Sequence, residues 1–322
     1  MSDYKKQHFV PQLLQRNFSK DGHNIASYNI ERSTHFISPI ATTAQKDWYY
    51  KANDKDKISI EKLYGSIEKE VSPTVGRINN GNFDLSVAES ELLFLFSVAQ
   101  LMRTPKAANA MGVILKFCKI RRIKVVCDEI DKGIRSEENL PMQSSLGLPA
   151  VLESMSGKSY VYLRNETSKS FVLSDNPAAV FSPVAEIAEE KHITDLMLVQ
   201  ESFSGYMLYL PLGPKVGVFF FDDDYYDLGA DIVINVTEQD VDLLNKLQVR
   251  SANKILMYQD GTWDDNAMKG ALQYRQTDKF KRYQTTIYTP IESDFSLSFV
   301  NIDEDILVYK MNTIAVLKGR TI

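Results

Sequence analysis

Apolar positions follow helical spacing through much of the first half of this chain and shift towards alternation after about residue 158. Ile60, Leu63, Tyr64, Ile67, Val71, Val75 and Ile78 recur at three- and four-residue intervals, which predicts an amphipathic helix over 58–79. Pro73 should bend or interrupt it. In 91–103, Leu92, Leu93, Phe94, Leu95 and Phe96 cover every side of a second helix, which therefore belongs inside the protein. That stretch is well short of the roughly 20 apolar residues a membrane span needs. Ser86 followed by Glu89 predicts a capping box at its start, and Pro105 forces Thr104 out of helical geometry at its end.

The remaining pattern completes an α+β outline. Pro11 opens a short helix with Leu13, Leu14 and Phe18 on one face, and strands over 24–31 and 34–40 form a hairpin about Arg32-Ser33. A basic helix is expected over 106–132, a polar loop over 131–148 and a short helix over 149–155. Strands over 159–165 and 170–174 read as a hairpin about Thr167-Ser168-Lys169, stopped sharply by Asp175-Asn176-Pro177. Two more strands, 205–210 and 215–221, flank Pro211-Leu212-Gly213-Pro214, and a helix spans 238–252. Late strands are expected over 295–317. The fold class is thus a short N-terminal helix and hairpin, a central helical bundle around a buried helix, then a mostly antiparallel sheet. One domain over 1–260 is expected, helical over about 58–155 and sheet-rich over about 156–260, with an extension over 261–322.

Composition narrows the function classes. At 44% hydrophobic and 25% charged, the 322 residues can build a full core without metal or disulfide staples. The net charge of -5 supplies no global basic field, so a nucleic-acid partner would need a local patch. Cys118 and Cys127 are nine apart in the expected basic helix, on opposite faces, and cannot bridge; two cysteines alone also fall short of a structural zinc site. The opening Met-Ser-Asp-Tyr-Lys-Lys-Gln lacks the apolar run of a signal peptide, and the expectation is a cytoplasmic protein without membrane contact. No Walker loop, dinucleotide fingerprint, nucleophile elbow or Cys-x-x-Cys occurs, so neither a nucleotide cofactor nor haem is expected.

The chemistry then rests on a few polar residues, each with a structural alternative. His8, fixed by Pro11 at a helix entry, could act as general acid, base or ligand, or could simply cap that entry. Gln100 and Arg103, three apart on one helical face, could grip a phosphate or carboxylate. Alternatively Arg103 neutralises the helix C-terminus or pairs with Glu61 or Glu68. Asp175 sits where a strand meets a turn, suited to acid–base or metal work and equally to a structural turn. Glu61 and Glu68, seven apart, could pair as carboxylates or form a solvated flank. His23, Asn29 and His35 surround the hairpin as in a His/Asn/His metal nuclease, but the helix that should follow directly is missing.

Lys6-Gln7-His8-Phe9-Val10-Pro11-Gln12 running into Arg16-Asn17-Phe18 resembles the opening of the family known as domain of unknown function 4238. Further matches follow in order: Asp47-Trp48-Tyr49, Glu61, Ile67-Glu68, Gln100-x-x-Arg103-Thr104-Pro105 and Phe171-Val-Leu-Ser-Asp-Asn-Pro177. Together they cover about residues 4–260; Leu13-Leu14-Gln15 departs from the aromatic residue the family more often carries before its leucine. The resemblance implies a bacterial or phage-borne cytosolic protein, with relatives among candidate antiphage genes. It also implies that the shared polar residues form a site rather than core packing.

The resulting expectation is a nuclease-like effector acting on RNA, DNA or a nucleotide. His8, Arg103 and Asp175 are its catalytic candidates, and Gln100, Asn17 and Asn176 are candidates for holding substrate. If Asp175 and Glu68 converge, Mg²⁺ is the expected helper. A non-catalytic sensor or scaffold that binds a phage protein or small ligand is the alternative, which the acidic net charge favours.

Overall fold

A computed structural model describes residues 5–50, 59–120, 128, 139–181, 207–223, 226–276 and 316–317. Within them the chain forms helices packed on antiparallel and mixed sheets. The N-terminal ribbon pairs β1 (Lys6–His8) with β4 (Gln45–Asp47), Gln7 facing Lys46. Between them lie helix α1 (Gln12–Asn17) and the expected hairpin of β2 (Asn24–Asn29) and β3 (Thr34–Pro39).

Helix α2 (Ile60–Asn79) turns most of the predicted stripe inward: Ile60, Tyr64, Ile67, Val71, Val75 and Ile78 are buried, whereas Leu63 is exposed. Pro73 lies inside this helix without ending it. Helix α3 (Val87–Met102) starts at the predicted capping box, with Ser86 accepting from the Glu89 amide and Glu89 accepting from the Ser86 amide. Leu93, Phe96 and Gln100 are buried, whereas Leu92, Phe94 and Leu95 are half-buried, so this helix lies against the core rather than wholly within it. Helix α4 (Pro105–Ile120) follows after the break at Arg103-Thr104, where the Thr104 hydroxyl accepts from the Ala107 amide. The expected continuation to 132 lies outside the described residues, Asp128 apart.

The loop expected over 131–148 is replaced, from Asn139 onward, by helix α5 (Leu140–Leu146). Asn139 caps it by accepting from the Met142 amide at 3.2 Å. Helix α6 (Leu148–Ser154) follows directly, close to the expected short helix.

The sheets differ most from the sequence expectation. Strand β5 (Ser159–Arg164) enters a five-stranded sheet ordered β11-β5-β9-β8-β7, in which only β5 and β11 run parallel. Its other members are β7 (Ala179–Phe181), β8 (Met207–Gly213), β9 (Val216–Phe221) and β11 (Val233–Asn235). Strand β6 (Leu173–Ser174) instead joins a four-stranded sheet ordered β3-β2-β12-β6, with β12 spanning Ile255–Tyr258. The expected hairpin of 159–165 with 170–174 is therefore not formed. Asn165 redirects the chain between sheets: its amide donates to Lys169 O and Pro214 O, and its oxygen accepts from Thr167. The turn expected over 211–214 shrinks to Pro214-Lys215, because β8 runs on to Gly213 through an irregularity between Pro211 and Gly213. A short pair, β10 (Tyr226–Asp227) with β13 (Val316–Leu317), is the described part of the expected late strands; 295–315 lie outside the described residues.

Helix α7 (Glu238–Ser251) holds the two-residue strand β6 in place through buried amides. Asn245 accepts from the Val172 amide and donates to Ser170 O, while Gln248 accepts from the Ser174 amide and donates to Pro177 O. These side chains replace the ladder partners a longer strand would supply. Beyond residue 260, α8 (Asp265–Arg275) packs Met268 and Ala271 against Val249, Ala252 and Leu256, and Arg275 donates to Val249 O at 2.9 Å. Among the described residues no helix is long and apolar enough to cross a membrane.

Candidate functional site

The site is built around Arg103, the C-cap of α3, which is 1% exposed. A cation so deeply buried is tolerable only if it is paired and hydrogen-bonded. Its Nη1 donates to Glu68 Oε1 at 2.6 Å and its Nη2 donates to the carbonyl of His8. The guanidinium lies over the Tyr64 ring, 4.5 Å from the centroid. The Arg103 carbonyl accepts from the Tyr50 hydroxyl at 2.9 Å. Burial opposes the charge on Arg103, but the Tyr50 oxygen and the Glu68 carboxylate beside it outweigh burial and hold the proton firmly. One Arg103 atom, Nε, has no partner among the described residues.

Three half-buried titratable side chains surround this guanidinium: His8, Glu61 and Glu68. His8 Nε2 donates to Ile40 O at 3.2 Å, which leaves Nδ1 as an acceptor, and Gln12 lies 3.3 Å from the same nitrogen. Burial holds His8 below its ordinary value, aided by the Arg103 and Arg16 charges and opposed by Ile40 O and Glu68. Glu61, one helical turn before Tyr64, is pushed up to about 7 by burial and by the Glu68 charge, against the pull of Arg103. Its Oε2 is buried without a protein partner, as is the Tyr49 hydroxyl. Tyr49, Tyr50 and Tyr64 form a run of rings with centroids 4.8 and 5.4 Å apart, and burial raises all three hydroxyls above their usual range.

Asp175 is committed elsewhere. Its Oδ1 accepts from the Asn253 amide at 2.6 Å, and its Oδ2 accepts from the amides of Lys254 and Ile255 at 2.8 and 3.1 Å. It thereby fixes the turn between α7 and β12, and burial raises it to about 6 against the opposing pull of those amides. The Asp175–Glu68 pair expected to share Mg²⁺ thus has one member committed to backbone amides and the other to Arg103. Among the described residues no group of three or more His, Cys, Asp and Glu side chains is placed to hold a metal.

The two motifs instead meet one residue further on, where the Thr104 hydroxyl donates to Asn176 Oδ1 at 2.6 Å. Asn176 donates in turn to Ser251 on α7 at 2.7 Å. Gln100 donates to Phe96 O on its own helix, and Asn17 donates to Leu212 O at 2.8 Å, so both act in packing. His35 is packed edge-on against Tyr28 and Trp263, with Nδ1 2.7 Å from the Tyr258 hydroxyl.

The tyrosines and Thr104 were not singled out from sequence. Tyr64 lies between Glu61 and Glu68 at spacings of three and four, which was the available signal for it. Thr104 stood in the motif Gln100-x-x-Arg103-Thr104-Pro105, whereas Tyr50 gave no comparable signal, because its role depends on a partner distant in the chain.

An α+β chain with a buried Arg/Glu pair beneath a short N-terminal ribbon is the class that fold and site define. It belongs to the family described as "Protein of unknown function (DUF4238)", whose model matches residues 6–262. No curated protein and no solved structure matches the chain.

Two stability outcomes follow from this geometry. Asp175→Asn should cost about 3 kcal/mol, because the new amide opposes its own donors to backbone N–H groups. A chemical-denaturation midpoint unchanged from the native protein would refute the assigned role. Glu61 binds a proton in the folded state between its ordinary 4.5 and about 7 that the unfolded chain has released. Its contribution to stability is therefore full at acid pH and is lost as pH rises through about 7. His8, lowered from 6.5, works in the opposite sense, losing its contribution as pH falls below that value. Glu61→Gln should remove the first slope and leave the second in urea titrations across this range; an unaltered pH profile would contradict the Glu61 environment.

Proposed function

We propose that this chain is a hydrolase acting on a phosphodiester or nucleotide, with His8 and Glu61 as its acid–base pair. The supporting observation is that the two have been pushed apart around one guanidinium. Burial favours neutral His8, and burial with the Glu68 charge keeps a proton on Glu61 near neutral pH. His8 Nδ1 then takes the proton from the attacking water or ribose hydroxyl, and Glu61 gives its proton to the leaving oxygen. Arg103, neutralised on one side by Glu68, supplies positive charge where the phosphoryl oxygens would lie. Asp175 has no chemical step in this scheme; it positions the turn before β12. The setting implied by the family resemblance is antiphage defence.

One observation favours a second reading, a non-catalytic sensor or scaffold. Arg103, Thr104, Asp175 and Asn176 are all buried, and their bonds join α2, α3, α7 and the N-terminal ribbon. That network would equally serve a protein whose work is to present a surface.

His8→Ala and Glu61→Gln separate the two. Under the hydrolase reading each lowers turnover of RNA, DNA or nucleotide substrates by about 10²–10⁴-fold while the melting temperature barely moves. The rate should fall above about 7, as Glu61 loses its proton, and on the acid side only below the ordinary histidine value of 6.5, where the lowered His8 gains one. Undiminished turnover in both variants would rule the pair out, and loss of folding in both would favour the scaffold.

A further inference from the structure

Among the described residues, Arg103 Nε, the Tyr49 hydroxyl and Glu61 Oε2 are buried beside the site without a hydrogen-bond partner, as are the Tyr64 hydroxyl and Gln100 Oε1. The first three come from three segments that converge. Arg103 ends α3, Glu61 lies in the first turn of α2, and Tyr49 follows β4. Tyr49 packs edge-on against Tyr50, whose hydroxyl bonds the Arg103 carbonyl, and both Tyr49 and Glu61 feel the Arg103 charge. Buried polar groups are nearly always satisfied, so three orphans at one place point to a ligand.

We infer that Arg103 Nε, the Tyr49 hydroxyl and protonated Glu61 form a donor set for a terminal oxyanion, the phosphoryl group of a phosphomonoester such as a nucleotide. This rests on the hydrolase reading for the choice of a phosphate ester and narrows that reading to its nucleotide branch, in which water attacks a terminal phosphoryl group. The chemistry of the set decides the class: a guanidinium N–H, a phenol and a carboxylic acid all donate, and oxyanions accept. Burial decides the end of the molecule, since a terminal phosphoryl group brings one ester link to three buried atoms, whereas a chain-internal diester brings sugars on both sides. Glu68 bonds Nη1 and leaves the Arg103 Nε–H as a donor for the anion.

The pH response follows from what acts on Glu61: Glu68 on its own helix and Arg103 from α3, with burial. Glu61 is held at about 7, while His8, which also feels Arg103 and Glu68, is held below its ordinary 6.5. Anion binding should therefore tighten as pH falls through about 7, where Glu61 becomes a donor.

The test is calorimetric titration and thermal melting of the full chain with sulfate, a nucleoside 5′-monophosphate and a dinucleoside monophosphate lacking a terminal phosphate. Sulfate, which does not titrate in this range, and the monophosphate should bind and raise the melting temperature, and the diester should not. Tyr49→Phe should weaken sulfate about tenfold. The same variant should melt no lower than the native protein when free of ligand, because the lost hydroxyl bonds nothing in the protein. Glu61→Gln should abolish the pH dependence of sulfate binding. The inference is overturned if no anion binds and Tyr49→Phe melts lower, which would mean ordered water alone satisfies the set. Equal binding of the diester would overturn the terminal-phosphate assignment. Binding without turnover would leave this inference standing and sink the hydrolase reading, whereas turnover unaffected by Tyr49→Phe would do the reverse.

Discussion

A guanidinium buried at the end of α3 is the constraint to which the surrounding structure answers. Once Arg103 is removed from water, it requires an opposing charge and acceptors for its N–H groups. Glu68 supplies the charge from α2, the His8 carbonyl supplies an acceptor from the N-terminal ribbon, and Tyr64 supplies an aromatic face. The next residue extends the same joint: Thr104 caps α4 and bonds Asn176, which bonds Ser251 of α7. Two adjacent residues thus connect the ribbon, four helices and the segment after β6.

This arrangement divides the polar residues into two groups. Asp175, Asn176, Gln100 and Asn17 bond backbone or buried side chains and set the geometry of turns and helices. His8, Glu61 and Glu68 keep partial exposure beside the same cation. Chemistry requires the second group, in which burial lowers His8 and raises Glu61 beside Arg103.

Features specified over a few neighbouring residues were legible from sequence. The stripe of α2, the Ser86/Glu89 box of α3 and the pattern of α7 each depend on contacts within about two turns of helix. Strand β12 was not anticipated, since four apolar residues carry no period and its partner β2 lies more than two hundred positions earlier. The false hairpin at 159–174 has the same origin: adjacency suggested a pairing, while Asn165 sends the two strands into different sheets. At the site, the alternative in which Arg103 pairs with Glu68 is the one the structure adopts, and Asp175 takes its structural alternative. The spacing of Tyr49, Tyr50 and Tyr64 could not show that their hydroxyls would gather around that arginine.

The central claim is that Arg103 and Glu68 act as one buried unit. A double-mutant cycle with Arg103→Met and Glu68→Met, read by urea denaturation, tests it directly. Each single substitution should cost about 3 kcal/mol by leaving an uncompensated charge, and the double variant should recover much of the loss. Losses that simply add would contradict the account, since Arg103 and Glu68 would then contribute to the fold independently.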